Sequence, residues 1–158
     1  MSDIKLLHPL NIEMLRDRFQ EIEDSVLLMK ELQEKPKGEF VQKNSLIKAA
    51  TENYLRRSLQ ALLDIAAHLL SRISSVKPSY AREDMYQLGK CGVIDKDFVE
   101  TAQNMAGYRN RIVHHYLEID GEELYKIICD ELDDIQTLKK FLSRFVEKHE
   151  HDKDFLLV

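Results

Sequence analysis

Apolar residues recur at the spacing of an α-helix along the whole segment from Asn44 to Ser75. The middle of this segment, ALLDIAAHLL, is apolar on almost every side, which predicts a helix that is buried on more than one side. Such a helix lies either at the centre of a helical bundle or against a second subunit. Within it Asp64 and His68 stand four residues apart, which predicts a polar pair on one helix face.

The rest of the chain repeats this helical pattern. Further helices are predicted at about Asn11–Glu34, Arg82–Lys90, Asp95–Val113 and Gly121–Lys148. Only five glycines and three prolines interrupt the 158 residues, and no segment alternates polar and apolar residues for long enough to form a strand. We therefore expect an all-α bundle of four long helices and a short one. It should form a single domain over residues 1–148, followed by a C-terminal tail at 149–158.

Polar residues stand where two of these helices should begin. Asn11 can cap the first helix through its side chain. Asp120, with Glu123 three positions later, has the spacing of a capping box at the start of the last helix.

Composition and charge exclude several classes of protein. Hydrophobic residues make up 44% and charged residues 32%, which is typical of a folded soluble domain. A formal net charge of −5 argues against a protein that coats nucleic acid by overall attraction, although a local basic cleft stays compatible with it. No apolar run has the length of a membrane span, and the N-terminus lacks a signal-peptide pattern. Cys91 and Cys129 fit buried, reduced thiols, so we expect a cytoplasmic protein without membrane contact.

The segment RNRIVHHY, residues 109–116, concentrates groups that bind phosphate and transfer protons. There is no acidic residue between Thr101 and Leu117, so Arg109 and Arg111 are expected to be unopposed. The arginine fork matches phosphate oxygens, and histidine has a pKa suited to proton transfer near neutrality. Because neither a carboxylate cluster nor a Gly-rich loop accompanies them, the combination favours metal-independent chemistry on a phosphodiester.

One straight helix cannot aim the whole motif at one point. At roughly 100° per residue Arg109 and Tyr116 lie nearly on one face, whereas His114 falls roughly 140° from Arg109. Either the helix ends or distorts near His114, or two copies of the segment meet across a twofold axis. Structural roles stay open as well, because an arginine near a helix C-terminus often only satisfies carbonyl groups. Adjacent histidines are a poor chelate for a metal, and His149 and His151 are expected to lie in solvent.

The same residues carry a resemblance to a known family. GYRNRIVHHYLEID is similar to the R-x4-H-x-Y signature of HepT-type toxins of the HEPN superfamily. Arg109, His114 and Tyr116 occupy the signature positions, and Asn110 directly follows the arginine, as is usual there. The upstream segments ENYLRRSLQALLDIAAHLL and KPSYAREDMYQLGKCGVIDKDFVETAQNMAGYRN resemble the same family, so the likeness covers most of residues 44–148. His115 occupies a position that the family leaves free.

This resemblance implies an HEPN-like all-α homodimer that acts as the ribonuclease toxin of a type II toxin–antitoxin pair. Its partners would be an RNA substrate and an MntA-like nucleotidyltransferase antitoxin, in a homodimer or a larger hetero-oligomer. In this family the antitoxin transfers AMP from ATP to the motif tyrosine, here Tyr116. Arg109 and His114 would then be catalytic, with Asn110 in support and with neither metal nor cofactor.

Two alternatives from other classes stand beside this interpretation. The chain could be a non-catalytic subunit that binds nucleotide or substrate as the companion of a nucleotidyltransferase. It could also be a purely structural helical dimer.

Overall fold

A computed structural model describes residues 4–75, 77–114 and 119–157. The α-helices in these ranges are α1 (Ile12–Leu32), α2 (Lys37–Val41), α3 (Leu46–Ile73), α4 (Ala81–Lys90), α5 (Val99–Val113), α6 (Gly121–Asp130) and α7 (Leu132–His149). A short 3-10 helix at Lys96–Phe98 leads into α5, and no strand occurs among the described residues. The predicted all-α class is therefore confirmed. None of these helices combines the length and the hydropathy needed to cross a lipid bilayer.

Helix α3 lies at the centre of the bundle. It packs along α1 and also contacts α2, α4, α5, α6 and α7. The apolar side chains in its middle are buried within this one chain, namely those of Leu59, Ala61, Leu62, Ile65, Ala66, Leu69 and Leu70. Of the two explanations for the segment ALLDIAAHLL, the bundle centre is therefore sufficient. The apolar character of α3 does not by itself argue for a second subunit.

The last helix was predicted as one element, and that prediction is wrong. The chain leaves helical geometry at Glu131, where φ is −119° and ψ is 2°, and this residue separates α6 from α7. Asp133 and Asp134 occupy the first turn of α7, where the helix dipole favours negative charge, so they stabilise the start of a new helix after the break. The separation lets α6 pack against α2, with the rings of Phe40 and Tyr125 5.1 Å apart.

The N-terminus of α1 is joined to α3 through a histidine. Asn11 caps α1 as predicted, because its Oδ1 accepts a hydrogen bond from the backbone N–H of Met14 at 3.1 Å. The backbone N–H of Asn11 in turn donates to Nε2 of His68 at 3.0 Å. The predicted Asp64–His68 pair is therefore wrong. Asp64 instead binds Arg18 on α1, whose charged fork is a stronger partner than a neutral imidazole.

Two further predictions about burial are wrong. Cys91 is half-buried, but Cys129 is exposed, because its neighbours Ile127 and Ile128 occupy the buried face of α6. Both thiols are free. His149 is buried rather than solvated, with Nδ1 2.6 Å from the carboxylate of Asp152, whereas His151 is exposed as expected.

The apolar C-terminal tail lies beside the N-terminal segment. The backbone N–H groups of Leu156 and Leu157 donate to the carbonyl oxygens of Leu6 and Leu7, each at 3.0 Å. Phe155 packs against the core. The tail thus covers the segment that precedes α1.

Candidate active site

Helix α5 ends at the motif histidine. Val113 is the last helical residue, and His114 caps the helix with extended backbone geometry, φ −92° and ψ 101°. The backbone N–H of His114 donates to the carbonyl oxygen of Asn110 at 3.0 Å, and its side chain is exposed. The helix therefore ends at His114, which is the first of the two arrangements that the motif spacing allowed. An ideal helical wheel no longer describes where His114 points. His115 and Tyr116 lie outside the described residues.

Arg109 is held by neutral partners. Its Nε donates to Oε1 of Gln60 on α3 at 2.7 Å, and its Nη1 donates to Oδ1 of the neighbouring Asn110 at 3.0 Å. No carboxylate of the described residues forms an ion pair with it. Asn110 is exposed, and Arg109 is partly so. The positive charge of Arg109 is thus placed near the surface, and no acid within residues 4–75, 77–114 and 119–157 compensates it.

Arg111 differs from Arg109 in this respect. Its Nη1 and Nη2 donate to the two carboxylate oxygens of Glu123, the second bond measuring 2.8 Å. The bonded carboxylate raises the pKa of Arg111. The prediction that both arginines are unopposed is therefore wrong for Arg111, because the compensating acid comes from α6 and not from the local sequence. Only the first arginine of the motif retains an uncompensated charge among the described residues.

Glu123 has a different role from the one its spacing predicted. Asp120 caps α6 as expected, since its Oδ1 accepts from the backbone N–H of Glu123 at 2.8 Å. The Glu123 side chain binds Arg111 instead of closing a capping box. The start of α6 is thereby tied to the last turn of α5.

The side chain that holds Arg109 belongs to a chain of hydrogen bonds across three helices. Gln60 Nε2 donates to Oδ1 of Asp64 at 2.7 Å, and Nε of Arg18 on α1 donates to the second oxygen of Asp64 at 3.0 Å. No motif or composition pattern in the sequence pointed to Gln60. The only signal available was the four-residue spacing of Gln60 and Asp64, which permits a pair on one helix face.

This arrangement fits the chemistry of a phosphodiester. Arginine has five N–H donors in a rigid plane, and the hydrogen bonds of Arg109 to described residues use two of them, which leaves others that those residues do not occupy for phosphate oxygens. The exposed imidazole of His114 follows at the end of the same helix, and an imidazole can act as a general acid or base. Within residues 4–75, 77–114 and 119–157, no group of three or more His, Cys, Asp or Glu is arranged to hold a metal ion.

The family model described as Ribonuclease HepT-like matches residues 22–144, and the chain therefore belongs to that family. The matched range begins inside α1 and ends inside α7, so it includes Gln60 and the whole motif. A protein called tRNA nuclease HepT, from Aphanizomenon flos-aquae, is 28% identical over 104 residues. That alignment covers 66% of this chain and 71% of the relative.

Solved structures share the same fold. A tri-AMPylated HEPN toxin of Shewanella oneidensis, solved in complex with MNT antitoxin, matches with a TM-score of 0.74 at 18% identity, over 83% of this chain and 97% of that chain. The cytosolic protein of unknown function YutE from Bacillus subtilis matches with a TM-score of 0.72 at 15% identity, over 92% of this chain and 96% of that one. These likenesses confirm the HEPN-like architecture of the helical bundle.

Proposed function

We propose that this protein is a metal-independent endoribonuclease and the toxin of a toxin–antitoxin pair. The observation that carries the proposal is the state of Arg109, whose charge is oriented by two neutral amides and opposed by no carboxylate of the described residues. Membership of a ribonuclease family supports the reaction type, and the relative called tRNA nuclease supports RNA as the substrate. The similar toxin bound to an MNT antitoxin supports the toxin role.

The reaction follows from the two motif side chains. Arg109 binds the scissile phosphate and stabilises the extra negative charge that develops as the RNA 2′-oxygen attacks phosphorus. His114 takes the proton of the 2′-OH or gives a proton to the departing 5′-oxygen. The P–O5′ bond breaks, and the products are a 2′,3′-cyclic phosphate and a 5′-hydroxyl. Asn110 supports this step because its side chain holds Nη1 of Arg109.

A twofold homodimer would place a second copy of the motif beside the first. One copy of His114 could then take a proton while the other gives one. Val113, directly before His114, is 41% exposed and offers an apolar contact beside the site. Light scattering at micromolar concentration should give the mass of two chains, and a monomer at that concentration would contradict the dimer.

Silencing would act through Tyr116. We propose that an MntA-like nucleotidyltransferase transfers AMP from ATP to the phenol oxygen of Tyr116 and releases pyrophosphate. Tri-AMPylation of the similar toxin from Shewanella oneidensis supports this mode of control. The attached phosphate would bind Arg109 rather than Arg111, because Glu123 already compensates Arg111. Arg109 would then be withdrawn from the RNA.

Cleavage of RNA in the presence of EDTA tests the proposed reaction. Arg109→Ala and His114→Ala should each lower the rate on the order of 100-fold or more. Arg111→Ala is the matched control, since it removes an arginine from the same helix turn whose charge is already compensated, and it should cost much less. Unchanged cleavage by both active-site variants would refute the residue assignment. Activity that EDTA abolishes and Mg²⁺ restores would refute the metal-independent mechanism.

A further inference from the structure

We infer that Gln60 is a positioning residue, which orients Arg109 for phosphate binding and leaves its positive charge uncompensated. The inference rests on the proposed function, because it takes Arg109 to be the group that contacts the scissile phosphate. Gln60 lies on α3, far from the motif in sequence, and it does not itself reach the substrate in this scheme.

The orientation of the Gln60 amide is determined by its two partners. Its oxygen accepts from Nε of Arg109 at 2.7 Å, and its nitrogen donates to the carboxylate of Asp64 at 2.7 Å. A flipped amide would set N–H against N–H on one side and oxygen against carboxylate on the other. Asp64 is in turn fixed by its ion pair with Arg18 on α1. The amide that contacts Arg109 is therefore restrained at both of its ends.

Two contacts fix the plane of the Arg109 guanidinium. The bond to Gln60 engages Nε and the bond to Asn110 engages Nη1, and a rigid planar group held at two nitrogens has little freedom left. Without Gln60, the side chain would keep, among its hydrogen bonds to described residues, the one to its exposed neighbour Asn110. The free energy of phosphate binding would then include the cost of ordering the arginine, and misplacement would weaken the interaction at the transition state.

Gln60 is neutral, so it can bind Arg109 without cancelling its positive charge. Arg111 shows what a carboxylate partner does instead. Arg111 lies in the same turn of α5 as Arg109, and the Glu123 carboxylate from α6 compensates its charge. A carboxylate at position 60 would do the same to Arg109 and would compete with phosphate. The negative charge of Asp64 instead lies one side chain further away. There it polarises the amide and strengthens the hydrogen bond to Arg109 without forming an ion pair with it.

Removal of the amide is the first test. Gln60→Ala should lower kcat for RNA cleavage about 10- to 100-fold, with a smaller change in KM, because it misplaces a group that acts in the transition state. Gln87→Ala is the matched control, since Gln87 is also half-buried and donates to a carboxylate four residues away, Glu83, at 2.8 Å on α4. The control should cleave at the wild-type rate. Circular dichroism of each variant verifies that the helices are formed.

A charged substitution at Gln60 distinguishes a residue that positions Arg109 from one that only fills space between the helices. Gln60→Glu preserves size, but at neutral pH its carboxylate compensates Arg109, so cleavage should be impaired. Protonation would restore an O–H that donates to Asp64 and a carbonyl that accepts from Arg109. Arg109 lowers the pKa of the introduced carboxyl group and the Asp64 carboxylate raises it, so the cleavage rate of Gln60→Glu relative to wild type should rise as the pH falls from 7 to about 4, through the ordinary range of glutamate. A residue needed only for packing would give a constant ratio.

The outcomes distinguish the two proposals. Wild-type cleavage by Gln60→Ala, with Arg109→Ala inactive, would overturn the role of Gln60 and leave the proposed function standing. A pH-independent ratio for Gln60→Glu would also overturn it. Wild-type cleavage by Arg109→Ala would instead overturn the proposed function, and the role of Gln60 with it.

Discussion

A single histidine at the contact between α1 and α3 should make the fold sensitive to mild acid. His68 Nε2 accepts the hydrogen bond from the backbone N–H of Asn11, and this acceptor is lost when Nε2 is protonated. Burial, with the nearby charge of Arg72 in addition, lowers the pKa of His68 to about 4. The new positive charge would also lie next to the N-terminus of α1, where the helix dipole disfavours it.

The direction and size of the effect follow from linkage. The pKa of His68 is depressed from 6.5 in the unfolded chain to about 4 in the folded protein, so the unfolded chain binds the proton first. The contribution is fully present above pH 6.5 and is lost as the pH falls towards 4. At about 1.4 kcal/mol per pKa unit the full shift corresponds to roughly 3 kcal/mol. Since His68 is only half-buried, screening by solvent reduces the expected loss to about 1–2 kcal/mol.

Urea unfolding between pH 7 and pH 4.5 measures this loss. His68→Gln is the appropriate variant, because glutamine offers an acceptor to Asn11 but does not titrate. The free energy of unfolding of the wild type should fall relative to that of His68→Gln by about 1–2 kcal/mol over this range. His151→Gln serves as the control, since the side chain of His151 is 90% exposed, and its profile should parallel the wild type. Parallel profiles for wild type and His68→Gln would refute the reasoning.

Three further changes test other parts of the structure. Gly121→Ala would place a Cβ 2.2 Å from the backbone oxygen of Phe40, so it should lower the free energy of unfolding by about 1–3 kcal/mol in thermal melts, whereas Gly38→Ala, with nothing within 4 Å, should not. Glu123→Gln removes the compensating charge from Arg111. Binding of single-stranded RNA should tighten at low salt, and the slope of log K against log salt should steepen by about 0.7; an unchanged slope would contradict this. Tyr116→Phe should cleave RNA but show no AMP adduct by intact mass spectrometry after incubation with the nucleotidyltransferase and ATP, and an adduct still present would exclude Tyr116 as the sole modified residue.

The helical class could be predicted because its signal is local. Apolar spacing alone predicted α1 and α3 within two residues at each end, and the polar side chain of Asn11 predicted the cap of α1. The break at Glu131 was not visible, because apolar residues continue at helical spacing on both sides of it. What separates α6 from α7 is a local change in backbone direction, and apolar periodicity does not record such a change.

The sequence predicted which motif residues form the candidate site, but it did not predict which charges there are compensated. The motif identified Arg109 and Arg111 as an unopposed pair because no acid stands near them in sequence. Their partners come from 49 and 12 positions away, namely Gln60 for the first and Glu123 for the second. Hydrogen bonds of this kind depend on how helices dock, so a local pattern cannot distinguish an arginine held by an amide from one held by a carboxylate.

The network that joins Arg18, Asp64, Gln60 and Arg109 is completed late in synthesis, because its last member lies on α5. Helices α1 and α3 are translated before α5, and at about 5–20 residues per second the 49 positions between Gln60 and Arg109 take about 2–10 s to translate. During that interval the nascent chain can pair α1 with α3 and form the Arg18–Asp64–Gln60 part of the network. Arg109 is then translated after Gln60, the acceptor on α3 that it binds. A growing chain therefore carries no complete site until α5 has docked, which delays any nuclease activity until most of the domain has been translated.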